Sequence, residues 1–452
     1  MSGHLSGHLS GHDELGISRR RFLTGLGVAG TAAVAAGYGL SVWRDGGSST
    51  PGAATASRVP RLGSGRADRT LVVIELGGGN DGLNTVVPMA DPAYRLLRPT
   101  LGVSDAVALD DGIGLHPGLA KLAARYQAGQ VAIVEGLGYP DPNLSHFASL
   151  GYWWSGAPGE SGGAGWLGRY LDGTVGFEDP LAAVGIGPLP SPALLGNQSF
   201  ATTIADATGL QPALPAWVDR PDDLIAAWAR FVPASPDPTT LMGELQQAIV
   251  HTVRARRELT ETLRAGSGHA ESGHADAGVD DPASAYGTEA TATASLALAA
   301  RLIVADRAPR VVYVNGLGDY DTHQGEAQRH PLLMQDLDAG LETFFTTLDR
   351  AGASEHALVM TVSEFGRRPS ENGSGTDHGT AAPHFLIGAK VNGGRYGAPP
   401  LLTQLDDHGN LVHTTDFRSL YATALQDWLG VEAEAVVGKG FDPLPGVLRS
   451  SP

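Results

Sequence analysis

The sequence predicts a three-layer α/β/α fold with a mainly parallel central sheet and loop-rich cap insertions. Short β-branched and apolar runs alternate along the chain with segments of helical periodicity, and the first run ends in a Gly-rich turn. At 452 residues, with 42% apolar and 17% charged residues, the chain is long enough and apolar enough to bury the core of one large domain.

The predicted elements begin with a strand at 70–76, whose sequence TLVVIEL precedes the glycines at 77–79. A helix over 116–128 and a strand over 131–135 follow, which together give a β-turn-α-β start and therefore favour a parallel sheet. Residues 155–240 are rich in Gly, Pro and Ala, and we interpret them as loops, short strands and a cap over the sheet. The later predicted helices span 242–264, 288–307, 327–351 and 415–429, and the later predicted strands span 310–315, 357–362 and 385–388.

The N-terminal segment is typical of a twin-arginine export signal. Residues 18–23 (SRRRFL) lead into a weakly apolar Ala/Gly-rich stretch, and Ala54-Thr55-Ala56 offers a small-x-small cleavage site. The sequence therefore predicts a periplasmic or extracellular protein that has the twin-arginine translocase as its partner during export. Retention by an uncleaved N-terminal anchor is the alternative. The predicted divisions are 1–56 signal and leader, 57–68 linker, and 69–450 folded domain with a low-complexity insertion at 266–287.

Composition excludes several classes of function. The chain has no Cys, so disulfides, zinc–thiolate sites and thiol nucleophiles are ruled out. Its formal charge is −17, and removing residues 1–56 (four Arg, three acids) leaves 27 basic and 45 acidic residues, or −18. This acidic balance argues against nucleic acid as a partner. It also means that an anionic substrate needs a local positive centre to bind.

Side chains suited to metal binding and catalysis follow four of the predicted strands. Because the carboxyl ends of parallel strands meet at one edge of a sheet, we expect these side chains to lie together. Asp and His suit one or two divalent ions (zinc, manganese, magnesium or calcium), and two ions can clamp a displacement at phosphorus while a Ser attacks. The candidate metal ligands are Asp81, Asp319, Asp321, His323, Glu364, Asp377, His378 and His384, and the candidate catalytic residues are Ser145, His146 and Arg367.

Each candidate also has an ordinary structural interpretation. Asp81 is equally suited to capping a Gly-rich turn, and Ser145 to capping a helix N-terminus. Asp319 and Asp321 are alternatives for one ligand position. Arg367 either binds a tetrahedral oxyanion or forms a surface salt bridge.

The motifs at these positions resemble a family called domain of unknown function 1501, of the alkaline phosphatase and sulfatase superfamily, over about residues 69–430. The resemblance implies an alkaline-phosphatase-like fold in which Asp81 is the first metal ligand and Ser145 is the nucleophile at a helix start. It implies a metal pair at Asp319 and His323, and it matches Asp377, His378 and His384 to later ligands. The motifs are GGNDG (78–82), LSHF (144–147), GWLGRYLD (165–172), DTH (321–323), SEFGR (363–367) and TDHG (376–379).

The chain departs from the superfamily pattern at one place. Relatives usually carry Asp-His-Gly directly after a core strand, whereas here that strand ends at 364–366 (EFG) and DHG follows at 377–379 in a predicted loop. Either Glu364 keeps one ligand position and the loop supplies the imidazole, or the site holds fewer metals.

These observations lead to two hypotheses. The first is an exported metal-dependent hydrolase that uses a Ser nucleophile on a small-molecule or glycan ester. Phosphate esters are favoured over sulfate esters, because Cys is absent and no Ser-x-Pro-x-Arg sequence follows Ser145. The second is a non-catalytic secreted domain that carries a metal and binds a glycan or a partner protein.

Overall fold

A computed structural model describes residues 62, 65, 68–110, 112–159, 163–176, 179–206, 220–230, 232, 237, 240–267 and 291–449. The predicted export signal and almost all of the predicted low-complexity insertion lie outside the described residues. Within the described part of the chain, no helix has both the length and the apolar character needed to cross a membrane.

The elements alternate along the chain as an α/β fold requires. The strands are β1 (Thr70–Glu75), β2 (Val86–Val87), β3 (Val107–Ala108), β4 (Gly114–Leu115), β5 (Val131–Gly138), β6 (Ala183–Ile186), β7 (Thr202–Ile204), β8 (Val311–Val314), β9 (Ala357–Val362), β10 (Arg367–Glu371), β11 (Thr376–His378), β12 (Ala382–Ile387), β13 (Gly394–Tyr396) and β14 (Thr415–Asp416). The helices are α1 (Gly82–Thr85), α2 (Pro92–Leu97), α3 (Ala120–Gln127), α4 (His146–Ser155), α5 (Trp166–Thr174), α6 (Pro221–Arg230), α7 (Leu241–Ser267), α8 (Ala292–Ile303), α9 (Glu326–Ala351), α10 (Phe417–Ala422) and α11 (Glu434–Val437). A π-helical segment over Thr423–Leu429 continues α10.

The central sheet has nine strands in the order β13-β5-β12-β9-β1-β8-β6-β7, with β14 also pairing with β5. Every strand runs in the same direction except β12, which is antiparallel to both β5 and β9. The amino end of β12 therefore lies at the edge where the other strands have their carboxyl ends. The predicted three-layer, mainly parallel architecture is confirmed.

Strand β1 shows how the sequence produces the layers. Its residues are all buried, as expected for a central strand covered on both faces. Successive side chains point to opposite faces, so Val72 and Ile74 pack in one hydrophobic core with helices α8 and α9. Leu71 and Val73 pack in a second core with α5 and α10. Burial of each of these aliphatic side chains contributes about 1.5–3 kcal/mol to the free energy of folding.

Most predicted elements are confirmed, and the middle of the chain contains short strands as predicted. Two of them, β6 and β7, are four and three residues long and extend the parallel part of the central sheet. The bounds of these strands could not be predicted from the sequence, because they are too short to show a clear period. The motif at 165–172 has a structural role here: Arg169 donates to backbone carbonyls, and Asp172 accepts from the amides of residues 197–199.

Candidate metal centre

Three candidate residues meet at the carboxyl edge of the sheet: His146, Asp321 and His378. One potential ligand atom from each lies within 4.8 Å of the others. His146 begins α4, Asp321 lies in the loop after β8, and His378 ends β11. We call this group the candidate metal centre.

Both imidazoles of the candidate metal centre are oriented by hydrogen bonds at Nδ1. His146 Nδ1 lies 2.7 Å from Glu364 Oε1, and His378 Nδ1 lies 2.8 Å from the carbonyl oxygen of Leu144. A carbonyl oxygen can only accept, and Glu364 acts as an acceptor towards the Gly78 amide as well, so both Nδ1 atoms carry the proton. In the neutral rings, the Nε2 lone pairs are therefore free to bind a cation.

These two lone pairs face the same carboxylate. His146 Nε2 is 3.4 Å from Asp321 Oδ2, and His378 Nε2 is 3.3 Å from Asp321 Oδ1. His146 Nε2 is also buried without a hydrogen-bond partner. A lone pair that faces a carboxylate oxygen is repelled unless a proton or cation lies between them. Two imidazole nitrogens and one carboxylate, each imidazole fixed from behind, fit a divalent ion that keeps further positions open.

The pKa values in this group follow from its contacts. The hydrogen bond to Glu364 raises the pKa of His146, although burial opposes the shift. Burial lowers the pKa of His378, which favours its neutral form. Burial alone would raise the pKa of Asp321, but the hydrogen bond and charge of Arg367 outweigh it, and the pKa is lowered.

His323 and Asp377 extend the group towards solvent. His323 Nε2 lies 3.3 Å from Asp321 Oδ1, and His323 Nδ1 lies 3.2 Å from Asp377 Oδ1. Asp377 also accepts a 2.9 Å hydrogen bond from Asn372. The predicted convergence of Asp321, His323, Asp377 and His378 is thus present in the structure. One detail differs: residues 376–378, which the sequence placed in a loop, form strand β11 and pair with β10 in a hairpin.

Arg367 does not face a substrate position. The side chain is buried, and its nitrogens donate to the carbonyls of Gly78, Gly79, Tyr320 and Thr376 and to Asp321. The expectation that it binds an oxyanion is therefore corrected: Arg367 holds the Gly-rich loop after β1 and fixes the carboxylate of Asp321.

Asp81 also lies apart from the candidate metal centre. Both of its oxygens bind Arg98, at 2.6 and 3.1 Å, in a site with no exposed surface on either side chain. Glu326 lies beside them, 3.7 Å from Arg98, and accepts hydrogen bonds from Asn84 and Thr376. We call these three residues the buried acid cluster. Because both oxygens of Asp81 already accept hydrogen bonds from Arg98, Asp81 has a structural role in place of the predicted ligand role.

The two carboxyls of the buried acid cluster have pKa values shifted in opposite directions. Burial and the charge of Asp81 raise the pKa of Glu326 well above its ordinary value. Burial alone would raise the pKa of Asp81, but the charge of Arg98 outweighs burial and holds this pKa far below its usual range. These shifts favour the protonated form of Glu326 and the ionised form of Asp81. Arg98 and Glu326 are not among the candidates predicted from the sequence, because neither lies in a motif.

Two further candidates are placed outside the centre. Asp319 pairs with Arg329 at 2.6 Å and accepts from the amide of Asp321, so it shapes the loop, and Asp321 is the alternative that joins the centre. His384 is buried beside Trp153, with no hydrogen-bond partner for either ring nitrogen, and burial lowers its pKa to about 3. Strand alternation directs His384 into the core, and it is not part of the candidate metal centre.

Ser145 and Glu364 lie around the centre. Ser145 is the N-cap of α4, yet its side chain makes no capping hydrogen bond and is exposed. The residues on either side of it are both tied to the centre, through the Leu144 carbonyl and the His146 ring. Glu364 is buried behind His146 and orients that ring, so it occupies a supporting position.

Comparison with known proteins places the chain in a family but not in a functional class. The structure resembles the alkaline phosphatase from the Antarctic bacterium TAB5, with 11% identity, a TM-score of 0.31, and coverage of 72% of this chain and 92% of that chain. It also resembles a protein in the alkaline phosphatase superfamily from Vibrio parahaemolyticus, with 10% identity, a TM-score of 0.33, and coverage of 94% and 78%. Likenesses this distant carry no argument about function, and no curated protein matches the chain. The family described as "Protein of unknown function (DUF1501)" matches residues 68–439, and the chain belongs to this family.

Proposed function

We propose that this protein is an exported, divalent-metal-dependent hydrolase of phosphate esters, with Ser145 as its nucleophile. The observation that carries the proposal is the pair of imidazole Nε2 atoms, on His146 and His378, that lie 3.4 and 3.3 Å from the single carboxylate of Asp321. Those three residues would hold the ion, with His323 and Asp377 beside it. A bound divalent ion would supply positive charge to polarise the ester's phosphoryl oxygen.

The chain's own residues support the remaining chemistry. Ser145 is exposed and its hydroxyl is not used to cap α4, so it is free to approach an ester. Its position at the start of this ten-residue helix places it where unpaired amides and the helix dipole favour an anion. Attack by Ser145 Oγ forms the serine–phosphorus bond and breaks the phosphorus–ester bond. The hydroxyl proton ends on the departing alcohol, and water later releases phosphate.

The test is turnover and metal content measured on the same preparations. Mature protein purified without chelators is analysed for metal and screened against phosphate and sulfate esters beside Ser145→Ala and Ser155→Ala. Ser155 lies at the other end of α4 and serves as the matched control. We expect all three proteins to keep the metal and only Ser145→Ala to lose turnover.

Two other outcomes have clear meanings. Bound metal without turnover of any ester by the wild type would favour the non-catalytic secreted domain. Turnover that survives in Ser145→Ala would remove Ser145 as the nucleophile.

The proposed location rests on residues 18–23, which lie outside the described residues. Replacing Arg19 and Arg20 by Lys should leave the precursor in the cytoplasm, because the export pathway selects the arginine pair. Cell fractionation measures this, and unchanged export of the variant would contradict the proposed route.

A further inference from the structure

A cavity of about 370 Å³ lies beside strands β5, β12 and β13. Its described lining residues come from these strands and the residues next to them, from residues 82–91 and 112–113, from the loop 399–411 and from Arg367. They include none of the three residues of the candidate metal centre. Small-molecule sites in proteins usually occupy about 300–1,000 Å³, so this cavity has the size of a second, separate ligand site.

The wall of the cavity is mainly apolar and contains stiff segments. Val86, Ile113 and Leu402 are buried lining residues, whereas the lining residue Leu401 is 54% exposed. Four prolines also line the cavity, at positions 88, 383, 399 and 400. Proline has a fixed φ and no backbone N–H, so it stiffens the chain and offers no donor of its own. Such a wall favours an apolar ligand, because little conformational entropy is lost when the ligand binds.

One largely buried ion pair interrupts the apolar wall. Both Glu135 and Arg395 line the cavity. Arg395 Nε donates to Glu135 Oε1 at 3.0 Å, and Arg395 Nη2 lies 2.9 Å from the same oxygen. Among the described residues, Glu135 Oε2 and Arg395 Nη1 have no hydrogen-bond partner. The pair therefore leaves one acceptor and one donor for the polar group of a ligand.

The charges around the cavity cancel. Besides Glu135 and Arg395, its described lining contains one acid, Asp91, and one further base, Arg367. A ligand with a net charge would lose its hydration there without gaining a counterion, which is costly. We propose that the cavity binds an uncharged, largely apolar small molecule, whose hydroxyl or amide group donates to Glu135 and accepts from Arg395. This site is separate from the proposed ester site and does not depend on the proposed function.

Fluorescence titration with N-phenyl-1-naphthylamine, an uncharged apolar dye that carries one N–H group, tests the cavity. Wild type is compared with Leu401→Ser and with the matched control Leu189→Ser. Leu189 is also exposed, at 69%, but it follows β6 and is not among the described lining residues. We expect Leu401→Ser to bind the dye about 3- to 10-fold more weakly, because the variant loses apolar contact area at the cavity. Leu189→Ser should match wild type.

Displacement of the dye identifies the ligand class. 1-Octanol, octanoate and octylammonium share one hydrocarbon chain and differ in charge. We expect 1-octanol to displace the dye from wild type at about 10-fold lower concentrations than either ion. Glu135→Gln removes the negative partner of Arg395, so octanoate should become a better competitor than 1-octanol in this variant.

Several results would overturn the inference. They are the absence of dye binding by wild type, equal dye affinity in wild type and Leu401→Ser, and equal weakening in both leucine variants. Displacement from wild type by either ion as readily as by 1-octanol would contradict the uncharged ligand class. The leucine pair keeps the test valid if Glu135→Gln is unstable, because both leucines are exposed. None of these measurements requires metal or turnover, so failure of the hydrolase proposal would leave this inference intact.

Discussion

The candidate metal centre and the buried acid cluster lie at the same edge of the sheet and both contain carboxylates, yet their bonding is opposite. In the buried acid cluster, Arg98 pairs with both oxygens of Asp81, and Glu326 has hydrogen-bond donors on both of its oxygens. In the candidate metal centre, the Nε2 atoms of His146 and His378 face Asp321, and that of His146 is buried without a hydrogen-bond partner. A saturated cluster stabilises the fold, whereas an unsaturated one is suited to binding a ligand.

Replacing Asp321 by Asn should cause the largest functional change. The variant loses the charge that the two imidazole nitrogens face, so we expect metal affinity to fall about 100-fold or more. The free energy of unfolding should fall by only about 1 kcal/mol, because Arg367 keeps its carbonyl acceptors. Metal titration and urea unfolding of the metal-free proteins measure the two effects. Unchanged metal affinity would show that the centre does not bind through this carboxylate.

Asp81→Asn should have the reverse effect. Removing one charge of a fully buried ion pair leaves Arg98 without its partner, and we expect a loss of about 3 kcal/mol in the free energy of unfolding. The same urea experiment measures it, with Asp321→Asn as the matched change from Asp to Asn. Metal content per folded molecule should stay at the wild-type value. A stable Asp81→Asn protein that has lost its metal would restore Asp81 as a ligand and break the comparison between the clusters.

Glu326→Gln tests the raised pKa of Glu326 in the buried acid cluster. The raised pKa of Glu326 means that its stabilising contribution is complete below its ordinary value of 4.5 and is lost as pH rises into the alkaline range. Gln resembles the protonated carboxyl and does not titrate. We therefore expect the variant to gain stability relative to wild type as pH increases from about 5 to 9, by up to about 1.4 kcal/mol per pH unit.

Unfolding at several pH values measures this difference. A difference between Glu326→Gln and wild type that stays constant with pH would show that Glu326 is ionised throughout. Metal binding should follow the wild type at each pH, because Glu326 belongs to the buried acid cluster.

The architecture and the location of the site were accessible from sequence, because both depend on local patterns. The β-branched run at 70–76 and the polar residues after each strand identify the sheet and its carboxyl edge. The bonding of each carboxylate was not accessible. Asp81 and Asp321 both follow strand-end loops that contain glycines, and their roles are separated by Arg98 and Arg367, which contact them across 17 and 46 residues of sequence. Such contacts are set by packing and have no local signal.

The Arg367-Arg368 doublet illustrates the same limit. Both residues are arginines on one strand, and the sequence favoured Arg367 because it completes the motif at 363–367. Strand alternation then separates them. Arg367 is turned inward onto carbonyl groups, whereas the Nε of Arg368 is buried without a hydrogen-bond partner.

The smallest expected change is for a substitution at His384, which is buried in the core and belongs neither to the candidate metal centre nor to the buried acid cluster. Burial lowers its pKa to about 3, so its neutral form stabilises the protein above its ordinary pKa of 6.5, and that contribution is lost as pH falls from 6.5 towards 3. His384→Leu removes the titrating ring and has no hydrogen bond to break. We expect a change of less than about 1 kcal/mol at pH 8 and a growing advantage for the variant in acid, by up to about 1.4 kcal/mol per pH unit. Unfolding at pH 8 and pH 5 measures this, and metal content at pH 8 should equal that of wild type. Loss of metal from His384→Leu would mean that His384 contributes to the candidate metal centre despite its buried position. A buried polar atom without a hydrogen-bond partner would then indicate ligand binding in the core as well as at the sheet edge.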